Sequence, residues 1–409
     1  MVIVLKSKFK VTAIMSKKNL LVLTPRFPYP VIGGDRLRIY QLCRELAKDF
    51  DLSLLSLCES KEDMDMPVPS DGVFQSVDRV YHPKSQRLLG MAKVLPSRIP
   101  FQVGYYWNPE FAKKLSVLAP LHDGLVAHLI RTGQYITGYQ MPKILEMTDA
   151  ISLSYRRTIP LAGPAKALAY RVEATRLQRY EREIIAACDL TVLVSAVDRD
   201  FLLPGDGREK TLVCVNGVDT EALPFNYSPD GRTIVFIGNN TSAPNVDAIL
   251  FFAEKILPLV QARCPNAMFK VIGQIKPELK SRLEHMAGVY ATGAIESVAE
   301  EARQASVAVC PLRFGAGVQN KLLEYMSLGI PTVTSPIGLE GLAAVPGSDL
   351  SVAKSLEEWA EQICQLLLYP DKGQILAAAG RKFVEQHHTW SAQIQPLRRS
   401  IAKLIMSQK

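Results

Sequence analysis

The segment that most constrains the fold of this chain is residues 310–342, which places glycines between an apolar strand and a helix. Residues 307–310 are apolar and partly β-branched, as in a buried parallel strand, and residues 320–327 carry leucine and methionine at helical spacing. The residues between them, including Gly315 and Gly317, therefore form a turn that opens a helix. Free backbone N–H groups and the positive end of a helix dipole meet at such a turn, which predicts an anion site. Many α/β proteins contain this unit, so it does not by itself identify a function.

Three charged side chains accompany this turn. Lys321 adds a point charge on a flexible stem, and Arg313 adds a fork of donors from the strand side. Glu324 follows Lys321 by three residues and shares its face of the helix. The pattern predicts that Lys321 and Arg313 bind phosphate and that Glu324 accepts hydrogen bonds from sugar hydroxyls.

The sequence pattern of this segment resembles that of a known family. Its pattern Gly-x-Gly-x-x-x-Lys-x-x-Glu-x-Met-x-x-Gly-x-Pro-Thr-Val, followed by Ile-Gly-Leu-Glu-Gly, is similar to the donor-binding segment of glycosyltransferase family 4. Residues 311–313 and 317–326 look most like the sugar transferases associated with exosortase and PEP-CTERM exopolysaccharide systems. The resemblance covers roughly residues 19–405. It implies an α/β chain of GT-B fold, in which two Rossmann-like, doubly wound parallel-sheet domains face a cleft.

Length and composition agree with two domains. The 409 residues, 48% hydrophobic and 22% charged, are typical of a globular protein and suffice for two cores. No apolar run approaches the roughly 18 residues that span a bilayer, and the first residues lack the apolar region of a signal peptide, so we expect a cytoplasmic protein. The seven cysteines are scattered and form no C-x-x-C pair, which indicates buried free thiols rather than a disulfide or a metal site.

The expected domain boundaries follow from these patterns. Residues 1–18 match no element and read as an N-terminal extension, and residues 19–219 form the acceptor-side Rossmann-like domain. Residues 220–388 form the domain that binds the nucleotide sugar. Residues 389–409 contain a last helix, which in GT-B proteins crosses back onto the first domain. The wording of residues 216–219, Asn-Gly-Val-Asp, resembles a family landmark at the crossing between the domains.

The first domain opens with a βαβ pattern. Residues 20–24 read as a buried strand, residues 37–49 as an amphipathic helix and residues 52–57 as a second strand, so we expect a parallel sheet. Gly33 and Gly34 lie beyond the carboxyl end of the first strand, where open α/β sheets bind ligands. The resemblance implies that this loop faces the donor diphosphate, whereas the glycines alone also fit a flexible turn.

Two further candidates lie near the carboxyl ends of strands in the first domain. Residues 123–130 read as a strand that delivers His128, and the resemblance implies that His128 contacts the donor sugar; a lone histidine is otherwise more often structural. Asp149 is similar to the acid of the family's Asp-x-x-Ser pattern, with helix capping as the alternative. Glu181 lies in a long helix among residues of opposite charge, where we expect a solvated helix face.

The second domain repeats the strand, glycine turn and helix pattern. Gly238 and Asn239 follow its first strand, and the resemblance implies that they bind the donor, as does Gly293 in a loop beside the nucleobase. Many family 4 enzymes place an Arg and a Lys after this first strand, and this chain has neither there. The phosphate charge must be met elsewhere, which gives more weight to Lys321 and Arg313.

One departure from the family concerns the donor sugar. Retaining members carry two glutamates eight positions apart, and counting back from Glu324 gives Ala316. The ribose role carries over to Glu324, whereas backbone amides of residues 316–318 are the candidates to replace the missing glutamate. We expect no metal and no cofactor, with a nucleotide-diphosphate sugar as co-substrate. The predicted catalytic residues are His128, Lys321 and Arg313, and the predicted donor-binding residues of this segment are Gly315, Ala316, Gly317, Val318, Gln319, Asn320 and Glu324.

The net charge of +8 lies mostly in the first half of the chain. Residues 1–219 contain 30 basic and 23 acidic residues, and residues 220–409 contain 18 and 17. No nucleic-acid-binding module is recognisable. The excess of basic residues therefore fits an anionic membrane face or a lipid-diphosphate acceptor better than nucleic acid, unless it serves only solubility. Residues 61–109 show no regular pattern apart from an amphipathic run at 88–95, with Arg87, Lys93 and Arg98 in or near it. We expect peripheral contact with the inner face of the cell membrane there.

The main prediction is a glycosyltransferase that moves a sugar from a nucleotide-diphosphate sugar to a saccharide or lipid-linked acceptor in polysaccharide or glycoconjugate assembly. The alternative is a non-catalytic GT-B relative that binds nucleotide or glycan and scaffolds a polysaccharide pathway. Ala316 and the missing Arg and Lys motivate this alternative. An oxidoreductase is disfavoured, because the chain lacks an early G-x-G-x-x-G with a downstream acid.

Overall fold

The computed structural model describes residues 17–31, 33–205, 207–315 and 317–407. Within these ranges the chain forms two α/β units, each built on a parallel β-sheet flanked by helices. Most of the predicted extension, residues 1–18, lies outside the described residues, and the first strand already begins at Lys18.

The first sheet has seven strands, all paired in parallel. They are β1 (Lys18–Thr24), β2 (Phe50–Cys58), β3 (Ser76–Tyr81), β4 (Gly124–His128), β5 (Lys143–Thr148), β6 (Leu190–Leu193) and β7 (Thr211–Val213). Their order across the sheet is β3-β2-β1-β4-β5-β6-β7. β1 explains why the sheet needs helices on both faces: Leu21 and Leu23 pack into one apolar core and Leu20 and Val22 into another.

The helices of the first unit cover these two faces. They are α1 (Gly34–Leu46), α2 (Lys61–Asp65), α3 (Lys84–Lys93), α4 (Phe101–Tyr105), α5 (Pro109–Leu118), α6 (Leu129–Gly133), α7 (Ile151–Thr158), α8 (Pro164–Ala187) and α9 (Ala196–Leu202). The region 61–109 is therefore more regular than the sequence indicates, and β3 was missed. β3 lies at the sheet edge and most of its side chains are only partly buried, so it has no continuous apolar run.

The second sheet has six strands, also paired in parallel. They are β8 (Thr233–Ile237), β9 (Met268–Ile272), β10 (Val289–Ala291), β11 (Val307–Cys310), β12 (Thr332–Thr334) and β13 (Ser351–Val352), in the order β10-β9-β8-β11-β12-β13. Its helices are α10 (Ala243–Phe251), α11 (Leu257–Gln261), α12 (Pro277–Glu284), α13 (Val298–Glu301), α14 (Asn320–Leu328), α15 (Pro336–Leu339), α16 (Leu356–Leu368) and α17 (Pro370–His387). A π-helical segment, Phe252–Ile256, joins α10 to α11.

The last helix, α18 (Trp390–Met406), belongs to the core of the first unit. Its buried residues recur at helical spacing and pack against the helix α1; they are Trp390, Ile394, Leu397, Ile401 and Ile405. Arg398 of α18 also pairs with Asp49, at 2.7 Å between Nε and Oδ2. The chain thus crosses between the two units twice, near residue 220 and again before α18.

The strand order reverses at one point in each sheet, between β1 and β4 and between β8 and β11. Open α/β sheets bind ligands beyond the carboxyl ends of their strands at this switch point. Gly33 and Gly34 follow β1, His128 ends β4, Gly238 follows β8, and the turn before α14 follows β11. The topology therefore brings the predicted site residues of each unit to one edge.

Two further expectations concern the chain as a whole. The seven cysteines are buried free thiols, which confirms the prediction. No helix in the described part of the chain combines the length and apolarity that a membrane span requires.

Candidate active site

The N-termini of α1 and α14 meet across the cleft between the two sheets. Gly33 precedes α1 with a φ of 96°, and a Cβ atom added at Gly34 would lie 3.6 Å from Nδ2 of Asn320, the first residue of α14. Asn216, in the crossing segment, donates from Nδ2 to Oδ1 of Asn320 at 2.5 Å. Helices of 13 and 9 residues thus direct their first backbone N–H groups towards the same region. This arrangement favours an anion.

Lys321 lies beside these N-termini and is 8% exposed. Its Nζ donates to Oδ1 of Asn245 and to Oε1 of Gln319, both at 3.1 Å, and lies 5.4 Å from the ring centroid of Phe236. A Cβ at Gly238 would lie 3.6 Å from Cε of Lys321, so the predicted residues Gly238, Gln319 and Lys321 come together. Sequence reasoning did not include Asn245, although it belongs to the Pro-Asn-Val-Asp-Ala wording after β8.

Three glycines line the carboxyl ends of β8, β9 and β10. Gly273 has a φ of 113°, and a Cβ there would lie 2.2 Å from the carbonyl oxygen of Gly238. Gly273 also forms a backbone β-bridge with Gly293. It therefore lies next to both predicted donor-binding glycines, Gly238 and Gly293. Gly273 itself was missed, although a glycine directly after a strand was an available signal. Asn239, also predicted, is exposed, and its Oδ1 accepts a hydrogen bond from Oγ1 of Thr241 at 2.7 Å.

Arg313 is engaged by an acid of its own domain. Both oxygens of Asp247 on α10 accept hydrogen bonds from its guanidinium, with Nε to Oδ2 at 2.9 Å, and these bonds raise the pKa of Arg313. Its Cζ lies 4.8 Å from the ring centroid of Phe251. A phosphate would have to compete with Asp247 for this fork, so Lys321 is the better placed cation. The phosphate role of Arg313 stays a prediction.

The turn before α14 packs against the first unit. Gly317 has a φ of 72°, and a Cβ there would lie 3.3 Å from Cβ of Asp149 and from Cγ2 of Val194. The carbonyl oxygen of Gly315 accepts from Nη1 of Arg157 at 2.9 Å. Ala316, on which the predicted departure from the family rests, lies outside the described residues. Its neighbours show that first-unit side chains reach the predicted sugar-binding turn.

Val318 and Glu324 complete the predicted donor segment. Val318 is buried, and its side chain lies close to Gly341 in the second domain. Glu324 is partly buried on α14, where burial raises the pKa of its carboxyl and Lys321 opposes the rise. Glu324 and Lys321 are thus electrostatically linked, as their spacing predicts.

His128 is one end of a buried chain of polar side chains that crosses the cleft. Its Nδ1 is 2.6 Å from Oε2 of Glu146, whose Oε1 accepts from Nε of Arg38 at 2.6 Å. Arg38 in turn donates from Nη1 to Oδ1 of Asn216 at 2.6 Å, and Asn216 contacts Asn320 as described above. Although burial favours the neutral acid, Arg38 and then His128 lower the pKa of Glu146 to about 2. This histidine is therefore oriented by a carboxylate and linked to the N-terminus of α14.

The backbone is strained on both sides of this chain. Leu129 and Thr148 have φ values of 64° and 68°, in the left-handed region that disfavours side chains with a Cβ. Leu129 directly follows His128, and Thr148 directly precedes Asp149. Each such residue costs about 1–3 kcal/mol and is typical of functional sites, where the surrounding structure holds it in place.

Three acids, Asp149, Glu181 and Asp198, lie near the start of α7. Glu181 is fully buried on α8, where its carboxylate accepts from the backbone and the hydroxyl of Ser152, so the prediction of a solvated helix face is wrong. Burial raises its pKa to about 7. The capping alternative for Asp149 is also wrong, because Glu181 and Asp198 accept from the N–H groups at the start of α7. Burial, with Asp198 adding, raises the pKa of Asp149 to about 7.

Among the described residues, no group of three or more His, Cys, Asp or Glu side chains is arranged to hold a metal ion. The expectation that no metal is required stays a prediction.

Comparisons with known proteins agree with this architecture. Residues 231–368 match the family described as Glycosyl transferases group 1. An uncharacterized 44.6 kDa protein in the cps region of Klebsiella pneumoniae is 26% identical over 151 residues, and the match spans 34% of this chain and 39% of that protein.

Two solved structures extend the comparison to nearly the whole chain. Sucrose-phosphate synthase from Thermosynechococcus elongatus superposes with a TM-score of 0.73 at 14% identity, covering 96% of this chain and all of that one. Anabaena HepE, solved in complex with UDP and glucose, gives a TM-score of 0.66 at 12% identity, covering 94% of this chain and 100% of that one.

The two sheets, the cleft between them and these neighbours define the GT-B fold, which confirms the predicted fold class. The match of residues 231–368 to the glycosyl transferases group 1 family agrees with the predicted class of protein. Membership of family 4 and of the exosortase-associated subfamily is a finer assignment and stays a prediction.

Proposed function

We propose that this protein transfers a sugar from a nucleotide-diphosphate sugar, bound by the second domain, to an acceptor hydroxyl presented by the first. The observation that carries the proposal is the convergence of the N-termini of α1 and α14 beside Lys321, at the switch points of both sheets. Anabaena HepE, which shares the fold, was solved with UDP and glucose, which supports a nucleotide-sugar donor.

The proposed chemistry is electrostatic. Negative charge grows on the departing diphosphate as the bond to the anomeric carbon breaks, and preorganised donors in a site shielded from water stabilise it. Lys321 and the backbone N–H groups of α1 and α14 serve this role, and Arg313 joins them only if it leaves Asp247. His128, fixed by Glu146, contacts the donor sugar, and Glu324 binds the ribose.

The proposal requires no metal or other cofactor, because cationic and N–H donors of the chain meet the diphosphate. Incubation with EDTA should therefore leave activity unchanged. A loss that Mg²⁺ or Mn²⁺ restores would contradict this part of the proposal.

A donor-hydrolysis screen tests the function directly. The full chain is incubated with UDP-, GDP- and other nucleotide sugars, and release of the nucleotide diphosphate is measured together with binding. We expect one nucleotide class to bind and to be hydrolysed slowly in the absence of acceptor. Tight binding with no hydrolysis and no transfer to any acceptor would favour the non-catalytic scaffold, and absence of binding would contradict both readings.

The finer assignments are part of the same proposal. The wording of residues 310–342 supports family 4 and the exosortase-associated subfamily, with a saccharide or lipid-linked acceptor in polysaccharide assembly. The relative in the cps region of Klebsiella pneumoniae is in keeping with an exopolysaccharide role.

Peripheral contact with an anionic membrane is the second part of the proposal, and α3 supports it. Gly90 is its only buried residue, because α3 rests on the backbone of Gly104, and the apolar side chains of this region stay exposed: Leu88, Leu89, Met91, Leu95 and Ile99. Exposed Lys84, Lys93 and Arg98 lie among them. Arg87 is different, since its side chain is 12% exposed and pairs with Glu59, so its predicted surface role is wrong. We propose that this face rests on the cytoplasmic side of the cell membrane.

A further inference from the structure

The first domain holds a second group of cations that the proposed donor site does not use. The residues that follow successive strands meet at the carboxyl edge of the sheet: Arg26 follows β1, Glu59 follows β2, His82 follows β3 and Arg131 lies shortly after β4. Arg87 of α3 joins them by pairing with Glu59 at 3.2 Å. We call Arg26, Arg87 and Arg131 the arginine cluster.

Two aromatic side chains pack against guanidinium groups of the arginine cluster. Tyr106 is buried, and its hydroxyl donates to Oε1 of Glu59 at 2.9 Å. The Cζ of Arg131 lies 5.0 Å from the ring centroid of Tyr106, and the Cζ of Arg87 lies 5.3 Å from that of Tyr105. The two rings meet edge to face with centroids 5.1 Å apart, so the guanidinium groups of Arg87 and Arg131 each pack on one of two contacting tyrosine rings.

The cluster has hydrogen-bond donors that its acidic neighbours do not occupy. Arg26 pairs with Asp35 at 3.5 Å and Arg87 with Glu59, whereas Arg131 has no acidic partner within 4.0 Å among the described residues and donates from Nε to the neutral Oε1 of Gln102 at 3.2 Å. The Nε atoms of Arg26 and Arg87 are buried without a hydrogen-bond partner in the described part of the chain. Donors of the arginine cluster therefore remain uncommitted, although Asp149 is a third carboxyl group near Arg131, which opposes the rise in its pKa.

The cluster lies next to the proposed reaction centre. Despite burial, the pKa of Asp35 is held below its usual value by Arg26, then by His128 and Arg131, so these groups surround one carboxylate. Asp35 itself is in the first turn of α1, two residues after Gly33. A ligand held by Arg131 would thus be close to His128 on the acceptor side of the cleft.

We propose that the arginine cluster binds a phosphate group carried by the acceptor. The inference rests on the proposed function and adds the substrate class: an acceptor with a phosphate or diphosphate, rather than an uncharged saccharide. Guanidinium forks match the oxygens of phosphate, and buried donors without partners gain most from such a ligand. The donor diphosphate has its own cation, Lys321, in the other domain, so it does not account for these arginines.

Two sources could supply this phosphate, a lipid-linked headgroup or a free sugar phosphate. Arg87 reaches the cluster from α3, the helix whose other side chains form the exposed apolar surface described above. The experiment therefore includes a probe for each source.

Calorimetry on the full chain separates this site from the donor site. UDP is titrated first, and inorganic pyrophosphate is then titrated with UDP saturating, on the wild type, Arg131→Ala, Arg131→Lys, Lys321→Ala and the control Arg179→Ala, which removes an exposed arginine of α8. We expect Arg131→Ala to weaken pyrophosphate by about tenfold or more while UDP is unaffected, with Arg131→Lys intermediate because it keeps the charge but loses the fork. Lys321→Ala should weaken the binding of UDP and leave the binding of pyrophosphate unaffected.

The possible failures are distinguishable. Pyrophosphate binding that is the same in Arg131→Ala, Arg131→Lys and the wild type overturns the inference, even where UDP binding depends on Lys321. Unchanged UDP binding in Lys321→Ala instead contradicts the proposed donor site, and the pyrophosphate titration still tests Arg131 independently. Circular dichroism confirms that each variant is folded.

A second set of titrations identifies the source. Glucose 6-phosphate and farnesyl phosphate are compared with glucose and farnesol. We expect only the phosphorylated probes to lose affinity in Arg131→Ala, with the tighter of the two in the wild type indicating the source. Equal losses for phosphorylated and unphosphorylated probes would overturn recognition of phosphate.

Discussion

The side chain of Lys321 carries a charge that its hydrogen-bond partners do not neutralise. Its hydrogen-bond partners, Asn245 and Gln319, are neutral amides, and the ring of Phe236 shields it from water. A buried ammonium of this kind is held in place while its charge stays available to an anion. Arg313 shows the opposite arrangement, because Asp247 already balances its charge.

Replacing Lys321 by alanine should weaken binding of the nucleotide diphosphate by about 2–3 kcal/mol, the range for loss of a charge-assisted partner. The fold should survive, since the two amide partners can bind water in the space. Calorimetric titration measures the loss, with Lys382→Ala on the exposed face of α17 as the control. Equal affinity in Lys321→Ala and the wild type would remove the phosphate role.

A second prediction concerns Glu146, the carboxylate between Arg38 and His128. Glu146→Gln leaves the guanidinium of Arg38, which is 2% exposed, without its charge partner. Breaking a buried pair costs about 3–5 kcal/mol, so we expect a loss of that order in the free energy of unfolding. Urea unfolding at pH 7 measures it, with the exposed Glu110→Gln as control.

The pH dependence of stability gives an independent check on the same residue. The folded-state pKa of Glu146 is about 2, below its usual 4.5, so its ionised form stabilises the fold above pH 4.5 and this contribution is lost as the pH falls towards 2. The Glu146→Gln variant should therefore lose less stability than the wild type as the pH falls from 4.5 towards 2. A variant that lost stability in acid as steeply as the wild type would argue against the pairing.

At the scale of elements, the start of α7 is completed by acids from other helices. Its N-cap residue, Ala150, has no side chain to accept a hydrogen bond, so Glu181 of α8 and Asp198 of α9 accept from the N–H groups there. Negative charge at a helix N-terminus is favourable. Burial nevertheless outweighs this effect for Glu181, because its pKa is raised.

This balance predicts a pH effect on stability. Between pH 4.5 and about 7 the folded state keeps the proton of Glu181 and the unfolded state loses it, so stability falls as the pH rises through this window. Glu181→Gln removes the effect and keeps a hydrogen-bonding group beside Ser152. We expect the variant to exceed the wild type by roughly 3 kcal/mol at pH 8 and by much less at pH 5. Urea unfolding at both values tests this.

The matched control is Glu183→Gln, two residues along α8, whose side chain is 59% exposed. Its stability should follow that of the wild type at both pH values. A Glu181→Gln protein with the pH profile of the wild type would mean that Glu181 is ionised in the fold at neutral pH.

At the scale of the whole molecule, the two units contact each other through the turn before α14, which is predicted to bind the donor. Arg157 of α7 donates to the carbonyl oxygen of Gly315 and pairs with Glu340 at 2.8 Å, both in the second unit. With the contact between Asn216 and Asn320, this links the first unit to the start of α14. A change in the relative position of the units would therefore alter the donor site directly.

The exposed face of α3 is expected to contact an anionic membrane. We expect peripheral binding to vesicles that contain anionic lipid, weakened by high salt and by combined substitution of Lys93 and Arg98, since each basic residue near such a surface contributes about 1 kcal/mol. Arg87 is kept unchanged because it belongs to the arginine cluster. Sedimentation with neutral and anionic vesicles at low and high salt measures binding, and equal recovery in all four supernatants would favour an acceptor free in solution.

The N-terminal extension supports a last prediction. Residues 1–14 lie outside the described residues, and their sequence matches no element of either domain. Their deletion should leave the melting temperature and donor hydrolysis unchanged, because β1 begins only at Lys18. A large drop in either quantity would show that the segment packs on the fold.

Local patterns in the sequence predicted most of the elements and the place of the site. Apolar runs next to glycines identified β1, β8 and β11, because a buried parallel strand must be apolar on both faces and the following turn must admit unusual backbone angles. The parallel arrangement then brought Gly34, Gly238 and Lys321 to the carboxyl edge of the two sheets, as expected. β3 was missed because an edge strand has no such requirement.

Only the tertiary structure decided how the charged side chains are paired. Glu146 meets Arg38 across 108 residues of chain and Arg313 meets Asp247 across 66, and the spacing of charges along one helix says nothing about such partners. Glu181 was misjudged for this reason, since its exposure depends on α7 packing over it. The sequence by itself thus determined the strands, the turns and the helix that is predicted to bind an anion. The pairing of charges sets the pKa values and leaves Arg131 without an acidic partner among the described residues. It depends on the order in which the strands lie side by side.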